Sequence, residues 1–183
     1  MRTMRYNPVS IVLHWLMAAI IILTWSIAIT ISDMPLSPMR IAGYSWHKWL
    51  GLTVLALVVI RLIWRGLHPA PKLTIPMPLW QERAMQATHI ALYLLMFSIP
   101  LVGWLMSSAK GYTVNYFGLF ELPDLLPKDK VLGHQLKEVH EYLADLLVAL
   151  FSLHVLAALK HQFIDKDGLL SRMSLCSCWK KRG

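Results

Sequence analysis

Charge is scarce in this chain. Asp, Glu, Lys and Arg make up 15% of its 183 residues, where a soluble domain carries about a quarter. Acidic residues are the scarcer sign, ten against eighteen Lys and Arg. Cysteine is confined to Cys176 and Cys178, a C-x-C pair in the basic tail. Two such residues cannot ligate an iron–sulfur cluster, and the C-x-x-C-H of covalent c-type haem attachment is missing. The pair is read as incidental or as a palmitoylation site beside a membrane, and the sequence assigns it no role. There is no Gly-rich nucleotide loop, no internal repeat and no low-complexity segment. No RNA or DNA motif accompanies the net charge of +8, so a nucleic-acid partner is excluded.

What the chain has instead is apolar length. It is 56% hydrophobic, with a mean hydropathy of +0.50. Four stretches, at about 9–31, 44–64, 84–108 and 139–164, reach the roughly 20 residues that span a bilayer. No soluble domain of useful size is left over. The reading is an all-α membrane protein, one transmembrane domain over 1–183 built as a four-helix bundle. The first stretch follows Arg2 and Arg5 but exceeds the h-region of a signal peptide, and no clear A-x-A site follows it, so it is read as a retained span.

Orientation follows from Lys and Arg. With the N-terminus inside, twelve of the eighteen fall on inner segments, and seven of the ten acidic residues fall outside. By the positive-inside rule both termini are cytoplasmic. Pro35 and Pro38 lie in an outer loop at 32–43, and Pro69, Pro71, Pro76 and Pro78 mark an extended inner connector. The outer segment at about 109–135 is read as a loop lying on the headgroups. Its Tyr112, Tyr116, Phe117 and Phe120 suit an interfacial strip.

Histidines carry the chemistry. His140 and His154 are fourteen residues apart in the fourth stretch. Fourteen steps of a helix return to within roughly 40° of the start and rise about 21 Å. Both imidazoles therefore share a face, one near each side of the membrane. His14, on the inner side of the first span, matches the depth of His154. His47, entering the second span from outside, matches His140. Two pairs result, His14 with His154 and His47 with His140. A pair of imidazoles is the axial ligand set of a low-spin haem b iron, and two stacked haems carry electrons across a membrane. Intramembrane ionisable residues are costly and functional by default.

Other residues are less sharply assigned. Arg61 is fourteen positions after His47, on the same face and near the inner level. It is read as a contact to a haem propionate or lipid headgroup, against a snorkelling residue that only sets topology. His89, on the inner side of the third span, has three readings: propionate contact, quinone contact and packing. Gly51, one turn from His47, leaves room for a flat macrocycle, and Gly103 either does the same or accommodates a kink after Pro100. Asp145 is a proton relay or a bond to a neighbouring helix. His68, His134 and His161 are read as loop, external and interfacial residues.

The chain resembles the bacterial dihaem cytochrome b561 family of inner-membrane proteins nearly end to end. The motifs are SIVLHW at 10–15, WHKWLG at 46–51, RLIWRGLHPAP at 61–71, HIALYLLMFSIPLVG at 89–103, VHEYLAD at 139–145 and HVLAALKH at 154–161. The resemblance implies haem ligation by His14, His47, His140 and His154, and traffic with the quinone pool. It also implies an activity, oxidation of periplasmic superoxide with ubiquinone as acceptor. Lys48 beside His47, with Arg40 nearby, offers positive charge to a small anion. The alternative is a cytochrome b anchor that conducts electrons between a partner dehydrogenase or hydrogenase and quinone. A membrane protein without cofactor is the third reading.

Overall fold

The computed structural model describes residues 5–71 and 77–175. Cys176, Cys178, Lys72 and Pro76 lie outside the described residues. Four long helices dominate: α1 (Pro8–Ser32), α2 (Pro38–Leu67), α3 (Leu79–Ala109) and α4 (Lys130–Lys160). Each is long and apolar enough to cross a membrane. A short antiparallel hairpin, β1 (Val114–Tyr116) and β2 (Phe120–Leu122), joins α3 to α4. Beyond α4 come a π-turn at His161–Asp165 and a 3-10 turn at Leu170–Met173.

The helices overrun the apolar stretches, for local reasons. Pro38 does not lie in the loop as expected but opens α2, with the Ser37 side chain capping Arg40 N–H. Proline suits a first helical turn because its missing N–H has no partner there in any helix. Asn7 accepts from Val9 N–H and Pro8 opens α1 in the same way. Asp129 accepts from Val131 and Leu132 N–H, so α4 begins nine residues before the apolar run at 139. Hydropathy marks the membrane section of a helix, and the caps mark its ends.

In lipid every polar group needs an internal partner. The hydroxyls of Thr24, Thr30, Thr53, Thr88, Ser108 and Ser152 each donate to the carbonyl four residues back. Chain neighbours pack in sequence, α1 on α2, α2 on α3 and α3 on α4. A core of Met17, Val54 and fully buried Val58, flanked by Ile20, Leu57, Tyr93 and Met96, joins the first three helices. Among the described residues α4 makes no comparable backbone approach to α1 or α2. It faces them across histidines.

The segment expected to lie as a loop on the headgroups is folded onto the bundle. Trp49 Nε1–H donates to Asn115 O at 2.6 Å, and the Thr53 and Tyr116 hydroxyls meet at 2.9 Å. Phe117 and Gly118 both take positive φ, 50° and 73°, as a hairpin turn requires. The strained Phe117 is held by stacking on Trp49 at 4.6 Å. On α3, Ser108 accepts from Leu125 N–H and Trp104 Nε1–H donates to Pro123 O. At the end of the bundle where α1 begins, the C-terminal turn docks on the first helix. Trp15 Nε1–H donates to Met173 O, buried Arg172 donates to Pro71 O at 2.7 Å, and Tyr6 N–H donates to Arg172 O.

Candidate haem-binding sites

Two histidine pairs stand one above the other along α4. At the level nearer the hairpin, called outer after the charge reading above, the ring centroids of His47 and His140 are 6.1 Å apart, with planes at 74°. At the level farther from the hairpin, called inner, those of His14 and His154 are 6.2 Å apart, with planes at 73°. An imidazole nitrogen binds a transition metal at about 2 Å, and its ring centre lies about 1 Å behind, so two axial imidazoles on one iron have centroids about 6 Å apart. Both pairs have the separation that a metal held between them demands. The donor set also fits, because neutral imidazoles on both faces suit a haem iron.

At the outer pair the rings are oriented from behind. His47 Nδ1 lies 3.1 Å from Thr24 O on α1, and His140 Nδ1 lies 3.0 Å from Ile99 O on α3. A carbonyl only accepts, so each Nδ1 carries the proton. Each Nε2 is then left with a lone pair for a metal, the usual arrangement of a ligating histidine. Gly103 is what lets His140 sit there. A Cβ at Gly103 would come within 3.1 Å of His140 Cε1 and 3.3 Å of Nδ1. The kink reading of Gly103 is therefore secondary to close approach. Gly51 has nothing within 4 Å of its missing Cβ, which leaves open space beside His47.

The inner pair is surrounded by donors. His89 on α3 packs edge-on against His154, centroids 5.3 Å apart. Arg61 lies within electrostatic reach of His14, His89 and His154. Its Nε–H donates to the Tyr93 hydroxyl at 2.8 Å. Arg61 and Arg65 both place their guanidinium carbons just under 6 Å from the Tyr93 ring centre. The structure thus brings Arg61 and His89 to the inner pair, with Tyr93, which the sequence reading did not single out. A tyrosine in an apolar helix is ordinary. The available signal was its place four residues after His89, one turn along the same face.

The remaining histidines separate. His134 is exposed and pairs with Glu138. His68 caps α2 and stacks on Trp64 at 4.0 Å rather than standing free in a loop. His161 is not simply interfacial. It is held by Asp167 at 2.6 Å and Asp165 at 3.1 Å, and the π-turn that follows α4 delivers those carboxylates. Asp145 is exposed, nine residues or about half a rotation from His154, so it points away from the histidine face.

Positive charge gathers at the rim nearer the hairpin. Lys48 lies over the Tyr112 ring at 5.6 Å and lines a recess of about 390 Å³ with Ser45, Trp49, Thr113, Asn115 and Phe117. Lys110 stands near enough to act on Lys48. Burial pushes the Lys110 ammonium below the usual lysine range, and the charge of Lys137 adds to this while Glu141 opposes it. Arg40 engages Tyr44 and does not line the recess.

Comparison with known proteins follows the same lines. The family described as prokaryotic cytochrome b561 matches residues 5–174. The chain is 34% identical over 177 residues to "Cytochrome b561 homolog 2" of Escherichia coli K12, covering 92% of this chain and 90% of that protein. It is 28% identical over 170 residues to "Cytochrome b561 homolog 1" of the same strain, covering 92% and 96%. It is 28% identical over 187 residues to the "Probable superoxide oxidase CybB" of Yersinia pestis, covering 98% of each.

Proposed function

Because this chain belongs to the prokaryotic cytochrome b561 family, and is thereby a haem-binding, multi-pass membrane electron-transfer protein, we propose that it holds two haem b groups and serves the quinone pool. The observation that carries this reading is the duplicated histidine pair, with the same separation and inclination at two levels of one bundle. His47 and His140 would hold the outer haem, and His14 and His154 the inner one. A bound haem with two axial imidazoles supplies a one-electron iron couple with no open coordination position.

The residues do the rest. Thr24 and Ile99 carbonyls fix the outer ring tautomers. Arg61 offers the inner haem a cation for a propionate, and His89 adds a polar ring beside His154. The residues 1–183 form one transmembrane domain in a bacterial inner membrane, with both termini cytoplasmic. The reaction is oxidation of two superoxide anions at the outer face to two dioxygen molecules. The two electrons, with two protons, reduce one ubiquinone to ubiquinol. Support for superoxide comes from the relative named as a probable superoxide oxidase and from the cationic rim at Lys48 and Lys110.

The test is direct. Purified protein should give two haem b per chain by pyridine haemochrome. In a stopped-flow mixer both superoxide and ubiquinol should reduce it. A single haem, or reduction by ubiquinol alone, rejects the corresponding half of the reading.

A further inference from the structure

Tyr93 stands where two cations meet. Its hydroxyl accepts Arg61 Nε–H at 2.8 Å, and Arg65 lies on its ring at 5.8 Å. An acceptor lone pair is thus used, while the Tyr93 O–H proton has no acceptor among the described residues. Carboxylate acceptors are also engaged on this side, among the described residues. Of the inner acidic residues, Asp165 and Asp167 are taken by Lys160 and His161, and Glu82 by Gln86. Arg61 therefore has donors beyond Nε, beside a free O–H, with no carboxylate among the described residues bonded to them. Two guanidiniums close together are unfavourable without an intervening anion.

Resting on the dihaem reading, we propose that Tyr93 is a positioning residue of a carboxylate clamp at the inner haem. It holds Arg61 by Nε, so that the terminal N–H groups of Arg61 converge on one propionate. The hydrogen bond fixes one rotamer of a side chain that is otherwise long and mobile, which lowers the entropy cost of each bond to the carboxylate. Tyr93 is well supported for this, since it packs on the Met17, Val54 and Val58 core.

The clamp sets a potential. A propionate neutralised by donors stabilises the ferric iron less than a free one, so weakening the clamp lowers the midpoint potential. It also raises the propionate's own pKa, because its charged form loses donors. The potential then falls with rising pH over a range where that of the unaltered protein is flat.

The experiment is a spectroscopic redox titration of the dihaem protein at several pH values. Tyr93→Phe should shift one midpoint potential downward and make it pH-dependent, with the other unchanged. Arg61→Gln should shift the same potential further. The double variant should match Arg61→Gln alone, because Tyr93 acts through Arg61. Two unchanged potentials in Tyr93→Phe, or additive shifts in the double variant, overturn the clamp. Should Tyr93→Phe fail to load haem, Arg61→Lys decides. It keeps the charge but loses the fork that Tyr93 orients, so its potential should lie below that of the unaltered protein and above that of Arg61→Gln, and a potential equal to that of the unaltered protein overturns the proposal. A protein that carries only one haem before mutation sinks the underlying dihaem reading instead.

Discussion

His47 and His140 face one another with ring centres 6.1 Å apart and planes inclined by 74°. Both rings are fixed from behind by main-chain carbonyls, so the inclination is built into the helices. Near-perpendicular axial imidazoles leave the iron orbitals of π symmetry almost degenerate. The ferric protein should accordingly give a strongly anisotropic low-spin electron paramagnetic resonance signal. The inner pair, at 73°, should give another of the same type. Two ordinary rhombic signals would show that the rings turn parallel when iron is bound.

Removing one ligand should separate the sites. His140→Ala deletes a ligand of the outer pair and touches no group of the inner pair, which is about 21 Å away along α4. About half of the haemochrome signal should remain, since an iron with a single imidazole is held weakly. Full retention, or loss of both haems from a folded protein, would break the pairing.

The sequence was informative where period and composition act alone. A fourteen-residue spacing on a helix fixes a face and a depth, so four histidines could be paired before any coordinates. The spans were legible because a bilayer demands apolar length. Their ends were not, because Ser37, Asn7 and Asp129 act through single capping hydrogen bonds outside the apolar runs. The hairpin at 114–122 escaped for a different reason. Its strands are three residues each, and its turn puts a phenylalanine at positive φ, held by packing on Trp49 and Trp46 that no local pattern announces. The Tyr93 bond and the Asp167 grip on His161 depend on tertiary approach, and the latter on a π-turn that no residue pattern announces.

Gly103 should be intolerant of a side chain. The added Cβ of Gly103→Ala meets His140 Cε1 at 3.1 Å, tighter than ordinary contact. His140 must move, and its bond to Ile99 O is strained. Overpacking of this kind costs about 1–3 kcal/mol. Gly66→Ala is the matched control, because Gly66 is exposed near the end of α2 with nothing within 4 Å of its missing Cβ. Thermal melts should show the loss for Gly103→Ala only. In spectra, Gly103→Ala should weaken the outer haem, and equal stability of the two variants would remove the argument.

The topology is checked by fusions. A C-terminal alkaline phosphatase should be inactive and a C-terminal fluorescent protein bright, as the excess of Lys and Arg on the inner segments requires. The opposite pattern would exchange the inner and outer levels.

If superoxide is the donor, the outer rim should draw it in. Lys48 follows His47 directly and lines the recess beneath the hairpin, and Lys110 stands close to it. Their joint field should draw a small anion toward the outer pair. Such steering fades with salt, because the Debye length falls from about 30 Å at 0.01 M to about 3 Å at 1 M. Haem reduction after a superoxide pulse should therefore slow as ionic strength rises. In Lys48→Gln the rate at low salt should be lower and its salt dependence shallower. Arg40→Gln should change less, since Arg40 is engaged with Tyr44 and stands outside the recess. A rate indifferent to salt, or no faster than that of free haem b in detergent, would remove superoxide as the donor. The chain would then be read as a conduit between quinone and a partner redox subunit, with the histidine pairs unchanged.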